Sequence, residues 1–255
     1  MTDQDQYVLR TISKYSVYTG TNSPVMNAYS AMIPILRGWA GPQLIEIKPS
    51  GSHAKDTAVK GRTDLDLLIS LKHDTQEPLK DLYHMLDRWM RNKGYTTRLQ
   101  NVSVRINHSG VQVDLVPGVK HSGNSNYHWL YVSKSGKERT QTNIDLHIDK
   151  VKKSLRINEI KALKIWAQNH NLDFPSIYLE LTAIKALSGH QLFNLAENVK
   201  SVLRHISQNL TSTTILDPAN TNNIISADLT ISEKQAIARQ AMLSLLQPTW
   251  GTIIW

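Results

Sequence analysis

Residues 45–70, IEIKPSGSHAKDTAVKGRTDLDLLIS, constrain this chain more than any other stretch. An apolar run at Leu44–Ile47 ends in Lys48-Pro49 and the small pair Gly51-Ser52. A polar, helix-compatible segment follows, and Asp64-Leu65-Asp66 then opens a second apolar run, Leu67–Ile69. The pattern predicts a strand, a tight turn, a short helix and a second strand with two acids at its mouth. Side chains two apart on a strand share a face, so Asp64 and Asp66 point together while Leu65 enters the core. Neighbouring carboxylates repel unless a cation joins them, and oxygen donors without His or Cys suit a hard ion such as Mg²⁺. Gly51 lets backbone approach a ligand closely, and Ser52 can begin a helix whose free N–H groups favour phosphate oxygens.

A third acid lies in VQVDLVPG, where Asp114 alternates against Val113 and Leu115 on another expected strand. Three carboxylates from two strands could hold two metal ions for in-line phosphoryl or nucleotidyl transfer. A DxD pair or a Gly-Ser turn alone is common and signifies little. In this order, with the third acid, they resemble the DNA polymerase β-type nucleotidyltransferase superfamily over residues 44–118.

Composition sets outer limits. The chain has 255 residues, enough for one large domain or two small ones. It lacks any run of about 18 apolar residues, the minimum for a membrane span, and its polar start does not read as a signal peptide. Cysteine is absent, which excludes disulfides and thiolate zinc sites and fits a cytoplasmic protein. The net charge of +8 favours anionic partners, nucleoside triphosphates as well as nucleic acid.

Helices are expected over 6–18, over 24–38 with Ser23 as cap and a kink or break at Pro34, and over 77–93 with Gly94 as stop. Segments 102–107 and 111–116 read as a hairpin that brings Asp114 beside the DLD strand. A polar stretch and a second hairpin arm, YHWLYVSKSGKERTQT, lead to Asn143. From about residue 146 the pattern is helical, over 150–170, from Ile177, over 192–208 and over 231–247. ILDPANTNNIIS reads as a polar loop between the last two. The expected division is 1–145 as catalytic core with N-terminal helices and 146–255 as a helical domain.

The second half sharpens the resemblance. The order Lys161 to Trp166, Pro175 to Glu180, and ILDPAN followed by Asn222-Asn223 is similar to the oligoadenylate synthase and cyclic GMP-AMP synthase branch. In bacteria this branch comprises the cGAS/DncV-like nucleotidyltransferases, which make cyclic oligonucleotide alarms during phage infection. The resemblance implies an α+β fold: a polymerase β-like core with a mixed sheet, packed against a helical C-terminal domain, with the active site in the cleft. It implies Asp64, Asp66 and Asp114 as catalytic metal ligands for two Mg²⁺ ions, with Mn²⁺ able to substitute. It also implies Gly51, Ser52, Lys164, Ser176 and Tyr178 as nucleotide-binding residues, Lys164 reaching the triphosphate and Tyr178 stacking on a base. Implied partners are nucleoside triphosphates and a possible regulatory protein, with no membrane and no nucleic acid required for activity. The alternative is an enzyme adding nucleotides to an RNA 3′ end or to a protein hydroxyl.

Overall fold

The computed structural model describes residues 1–61, 64–123, 125–133 and 138–255. These group into two compact units, one of residues 18–55 and 63–148, the other of 1–17, 56–62 and 149–255. The first segment and residues 56–62, which precede the expected boundary at 145, group with the second half of the chain.

The first unit is a mixed sheet carrying helices. Its strands are β1 (Leu44–Ser50), β2 (Leu65–Leu71), β3 (Arg98–Leu99), β4 (Val104–His108), β5 (Val111–Lys120), β6 (His128–Tyr131) and β7 (Arg139–Thr142). The order is β1-β2-β5-β4-β3, with β6 pairing β5 beyond β4, and β7 pairing β6. Among the described residues only β2 and β5 run parallel, and their register sets Asp66 beside Asp114. Leu65, Leu67, Ile69 and Leu71 of β2 enter a core with Val104, Ile106, Val113 and Leu115. Helices α2 (Pro24–Ala40) and α4 (Leu79–Asn92) close that core through Ala28, Met32 and Leu36 and through Leu82, Tyr83, Leu86 and Met90. The acids therefore project from the opposite face.

Local signals explain most of these elements. Ser23 Oγ accepts from Met26 N at 3.2 Å with Pro24 in the first helical position, as expected for α2. The helix runs on through Pro34, so no break falls there. The β4–β5 hairpin turns at Ser109 and Gly110, both with positive φ (50° and 84°), the two-residue loop that matches strand twist. β5 continues through Pro117 to Lys120. The turn of the second hairpin, residues 134–137, lies outside the described residues.

The second unit is helical: α1 (Asp3–Lys14), α6 (Ile157–Asn169), α7 (Ser176–Ala186), α8 (Leu195–Asn209) and α9 (Ile231–Leu245). Within the first unit α3 (Gly51–Ala54) follows β1, and α5 (Ile144–Lys152) spans the change at 148/149. α1 starts earlier than its apolar spacing suggests, because Thr2 and Asp5 form a reciprocal capping box. The single helix expected over 150–170 is two. Leu155 adopts φ 58° and is exposed, while Arg156 turns inward and donates to Glu159 Oε1 and to the carbonyls of Leu187, His190 and Gln191. Four acceptors for one buried guanidinium outweigh the helical continuation at one residue. The expected polar loop at ILDPAN also differs: β8 (Leu216–Asp217) and β9 (Asn220–Ile224) pair antiparallel, turned by Asp217 Oδ1 accepting from Ala219 N at 2.8 Å. Among the described residues no helix is long and apolar enough to cross a membrane.

Candidate active site

Three sequence-predicted acids lie on the face of the sheet opposite its core. Asp66 stands on β2 between Ser50 of β1 and Asp114 of β5, and Asp64 lies two residues earlier, just before β2 begins. At the end of β1 the backbone turns into α3 at Gly51, with φ 63°. A Cβ there would fall 1.7 Å from Asp66 Oδ2, so the turn needs glycine for its backbone conformation and for the carboxylate packed on it. Ser52 follows on α3, half-buried. Gly51, Ser52 and the three acids are thus assembled within one unit.

The electrostatics reflect three like charges drawn out of water. Burial and the charges of Asp114 and Asp64 push Asp66 up to about 7, with Lys55 and Arg105 pulling the other way. Burial raises Asp64 as well, with Asp114 adding to it and Arg105 opposing. Two cations of the site were not singled out from sequence. Lys55, at the end of α3, is buried with its charge near Asp66. Arg105 on β4 lies directly across from Asp114. Its Nε and Nη2 donate to Asp114 Oδ1 and Oδ2 at 3.0 and 2.5 Å, and Nη2 also reaches Asp64 Oδ2 at 2.8 Å. Nη1 donates to Gln112 Oε1 at 2.9 Å, and Ser103 Oγ donates to Asp114 Oδ1 at 3.2 Å. The bond to Asp114 drives the Arg105 pKa upward.

Arg105 was legible in principle. Across a two-residue turn at 109–110 the paired positions sum to 219, so 105 must face 114. Lys55 offered only its proximity in sequence to Gly51.

The donor set fits a hard divalent ion, since all three candidates are carboxylates and their mutual repulsion calls for positive charge. Among the described residues, however, no three acidic or His side chains stand grouped closely enough to hold an ion as they are. The guanidinium of Arg105 pairs with both Asp64 and Asp114.

The remaining predicted residues belong to the helical unit. Lys164 does not extend toward solvent. Its side chain is 2% exposed, with Nζ 2.7 Å from Glu180 Oε1 and 2.9 Å from Thr57 Oγ1. The expectation of a triphosphate contact is corrected: the ammonium is satisfied inside the protein. Tyr178 is likewise corrected as a base-stacking residue. It is 0% exposed, edge-on to Phe174 and within the helical core, so neither ring face is open to a base. Ser176 is the exposed first residue of α7.

The chain's sequence is similar to a cyclic AMP-AMP-AMP synthase of Escherichia coli (strain MS 115-1), 27% identical over 179 residues, which is 62% of this chain and 55% of that protein. The match thus spans about half of the relative's length. No protein-family model matches. Among solved structures, E. coli MS115-1 CdnC matches with ATP at TM-score 0.77 and in its HORMA-deltaN complex at 0.76. Both are 20% identical, over 97% of this chain and 96% of the other. Bradyrhizobium diazoefficiens CdnG, described there as a CD-NTase in complex with GTP, matches at TM-score 0.79 and 11% identity, over 95% of this chain and 89% of the other. The chain thus has the fold of these CD-NTase structures. The mixed α+β architecture expected from the Gly-Ser…DxD…D pattern is the one observed, at identities low enough that backbone similarity carries the match.

Proposed function

We propose that this protein is a metal-dependent nucleotidyltransferase that joins nucleoside triphosphates into a short cyclic oligonucleotide. The observation that carries this is the placing of Asp64, Asp66 and Asp114 on one sheet face, with Asp66 packed against the Gly51 turn. The names of the similar proteins support it: one is a cyclic AMP-AMP-AMP synthase, and two of the matched structures hold ATP or GTP.

Asp64, Asp66 and Asp114 would hold the metal ions. Bound there, two Mg²⁺ ions, or Mn²⁺ in their place, would lower the pKa of an attacking ribose hydroxyl and offset charge on the leaving pyrophosphate. Asp114 would then be the group that accepts the proton of that hydroxyl. Gly51 and Ser52 would hold the triphosphate at the end of β1, and the resemblance implies Ser176 as a further nucleotide-binding residue. Lys55, buried beside Asp66, offsets negative charge on the same face. The biological reading, a signal in anti-phage defence under a regulatory protein, rests on the resemblance, together with the HORMA-deltaN complex of the similar CdnC.

The test is incubation of the purified chain with all four labelled triphosphates and Mg²⁺ or Mn²⁺, without nucleic acid. A small product that resists phosphatase is the expected result. Label appearing only at the 3′ end of added tRNA would overturn the proposal in favour of an RNA-tailing enzyme.

A further inference from the structure

Arg105 engages more of the acidic face than a cross-strand ion pair requires. Its fork occupies both oxygens of Asp114, and the same Nη2 takes one oxygen of Asp64. Ser103 Oγ adds a further donor on Asp114 Oδ1. Two of the three carboxylates therefore have lone pairs committed to one guanidinium. That group lies where an ion shared by Asp64 and Asp114 would sit, and the described acids form no metal-holding group with it there. A metal ion and a guanidinium compete for the same in-plane lone pairs and repel each other. The Arg105 side chain is 29% exposed, and its Nη1 bonds Gln112, an exposed neighbour on the same strand face. An outward swing thus needs no repacking of the core.

We propose that Arg105 is the resident counter-ion of the carboxylate trio and yields its place when a divalent ion binds between Asp64 and Asp114. This rests on the metal-dependent reading above and adds a built-in competitor to it. Before metal arrives, Arg105 neutralises part of the three-acid charge and keeps the face folded. Metal affinity is correspondingly weaker than three carboxylates alone would provide, which favours ions delivered together with a triphosphate.

The test uses the full chain and Mn²⁺ alone as probe, with free Mn²⁺ read by electron paramagnetic resonance and melting followed with and without the ion. Arg105→Gln should bind Mn²⁺ about tenfold more tightly than wild type, the low end of one lost charge-assisted contact. It should melt lower than wild type in chelator and gain more from Mn²⁺. Arg105→Lys keeps a charge without the fork, so it remains informative if the Gln variant does not fold, and its Mn²⁺ affinity should also rise. Unchanged or weaker Mn²⁺ binding in whichever variant folds would overturn the inference while leaving the metal site standing. Wild type that binds no Mn²⁺, or binds it equally well as Asp64→Asn/Asp66→Asn, would overturn the metal reading and this inference with it.

Discussion

Two charge centres of the protein are built oppositely. In the helical unit Lys164 and Glu180 form a buried ion pair, 2% and 0% exposed, closed by Thr57, which also donates to Glu180 Oε1 at 2.8 Å. On the sheet, three acids share two nearby cations, and the trio is in part open to solvent, Asp64 and Arg105 being 38% and 29% exposed. A matched, enclosed pair leaves no net charge and nothing for a ligand to do. An excess of one sign, held by backbone geometry at a partly open face, stays poised for a cation. The difference separates a structural charge centre from a candidate catalytic one, although the sequence resemblance drew residues from both.

Three experiments test that contrast. The largest effect is expected from Asp64→Asn with Asp66→Asn, which should cut nucleotide joining by about a thousandfold or more, since a bound metal supplies several kcal/mol of transition-state stabilisation. The variant should fold normally, and near-wild-type turnover would place the chemistry elsewhere. Lys164→Met comes next. Removing one partner of a buried pair strands the other, so urea unfolding should show a loss of about 3–5 kcal/mol. The apparent KM for triphosphate, measured on folded protein, should not move; a raised KM at undiminished stability would return Lys164 to the nucleotide.

The smallest effect is a pH dependence carried by Asp66. Its pKa of about 7 in the folded protein lies above the ordinary 3.8, so folding takes up a proton between those values. The stabilisation is complete below about pH 4 and is lost as pH rises through 7. In chelator, Asp66→Asn should therefore match wild type near pH 4 and exceed its stability at pH 8 by about 2–4 kcal/mol, from roughly 1.4 kcal/mol per pKa unit. Parallel stability curves for the two proteins would mean Asp66 is not held among like charges.

Asp66 and Lys164 also mark the limit of what can be read from the chain alone. The acids were legible because strand alternation is a local rule: Asp64, Asp66 and Asp114 share a face through a period of two, and Gly51 signals a turn through its own backbone freedom. The Arg105–Asp114 contact needed only one further step, counting register from Ser109-Gly110. Lys164 and Tyr178 were misplaced because helical spacing marks a side as apolar or polar without saying what covers it. Lys164 is one position from an apolar ridge, and a threonine 107 residues away decides, with Glu180, that its ammonium lies inside.

By itself, then, the sequence determined the elements whose causes are near in the chain: the strand–turn–helix–strand unit, the Asp114 hairpin, the α2 cap and the amphipathic α4. Tertiary structure alone decided the parallel join of β2 to β5, the grouping of α1 and residues 56–62 with the later helices, and the break at Leu155. It also decided which charges are matched and which are left in excess. The physical reason is that burial and pairing depend on contacts between residues remote in sequence, such as Arg156 with the carbonyls of 187, 190 and 191, and no local periodicity encodes them.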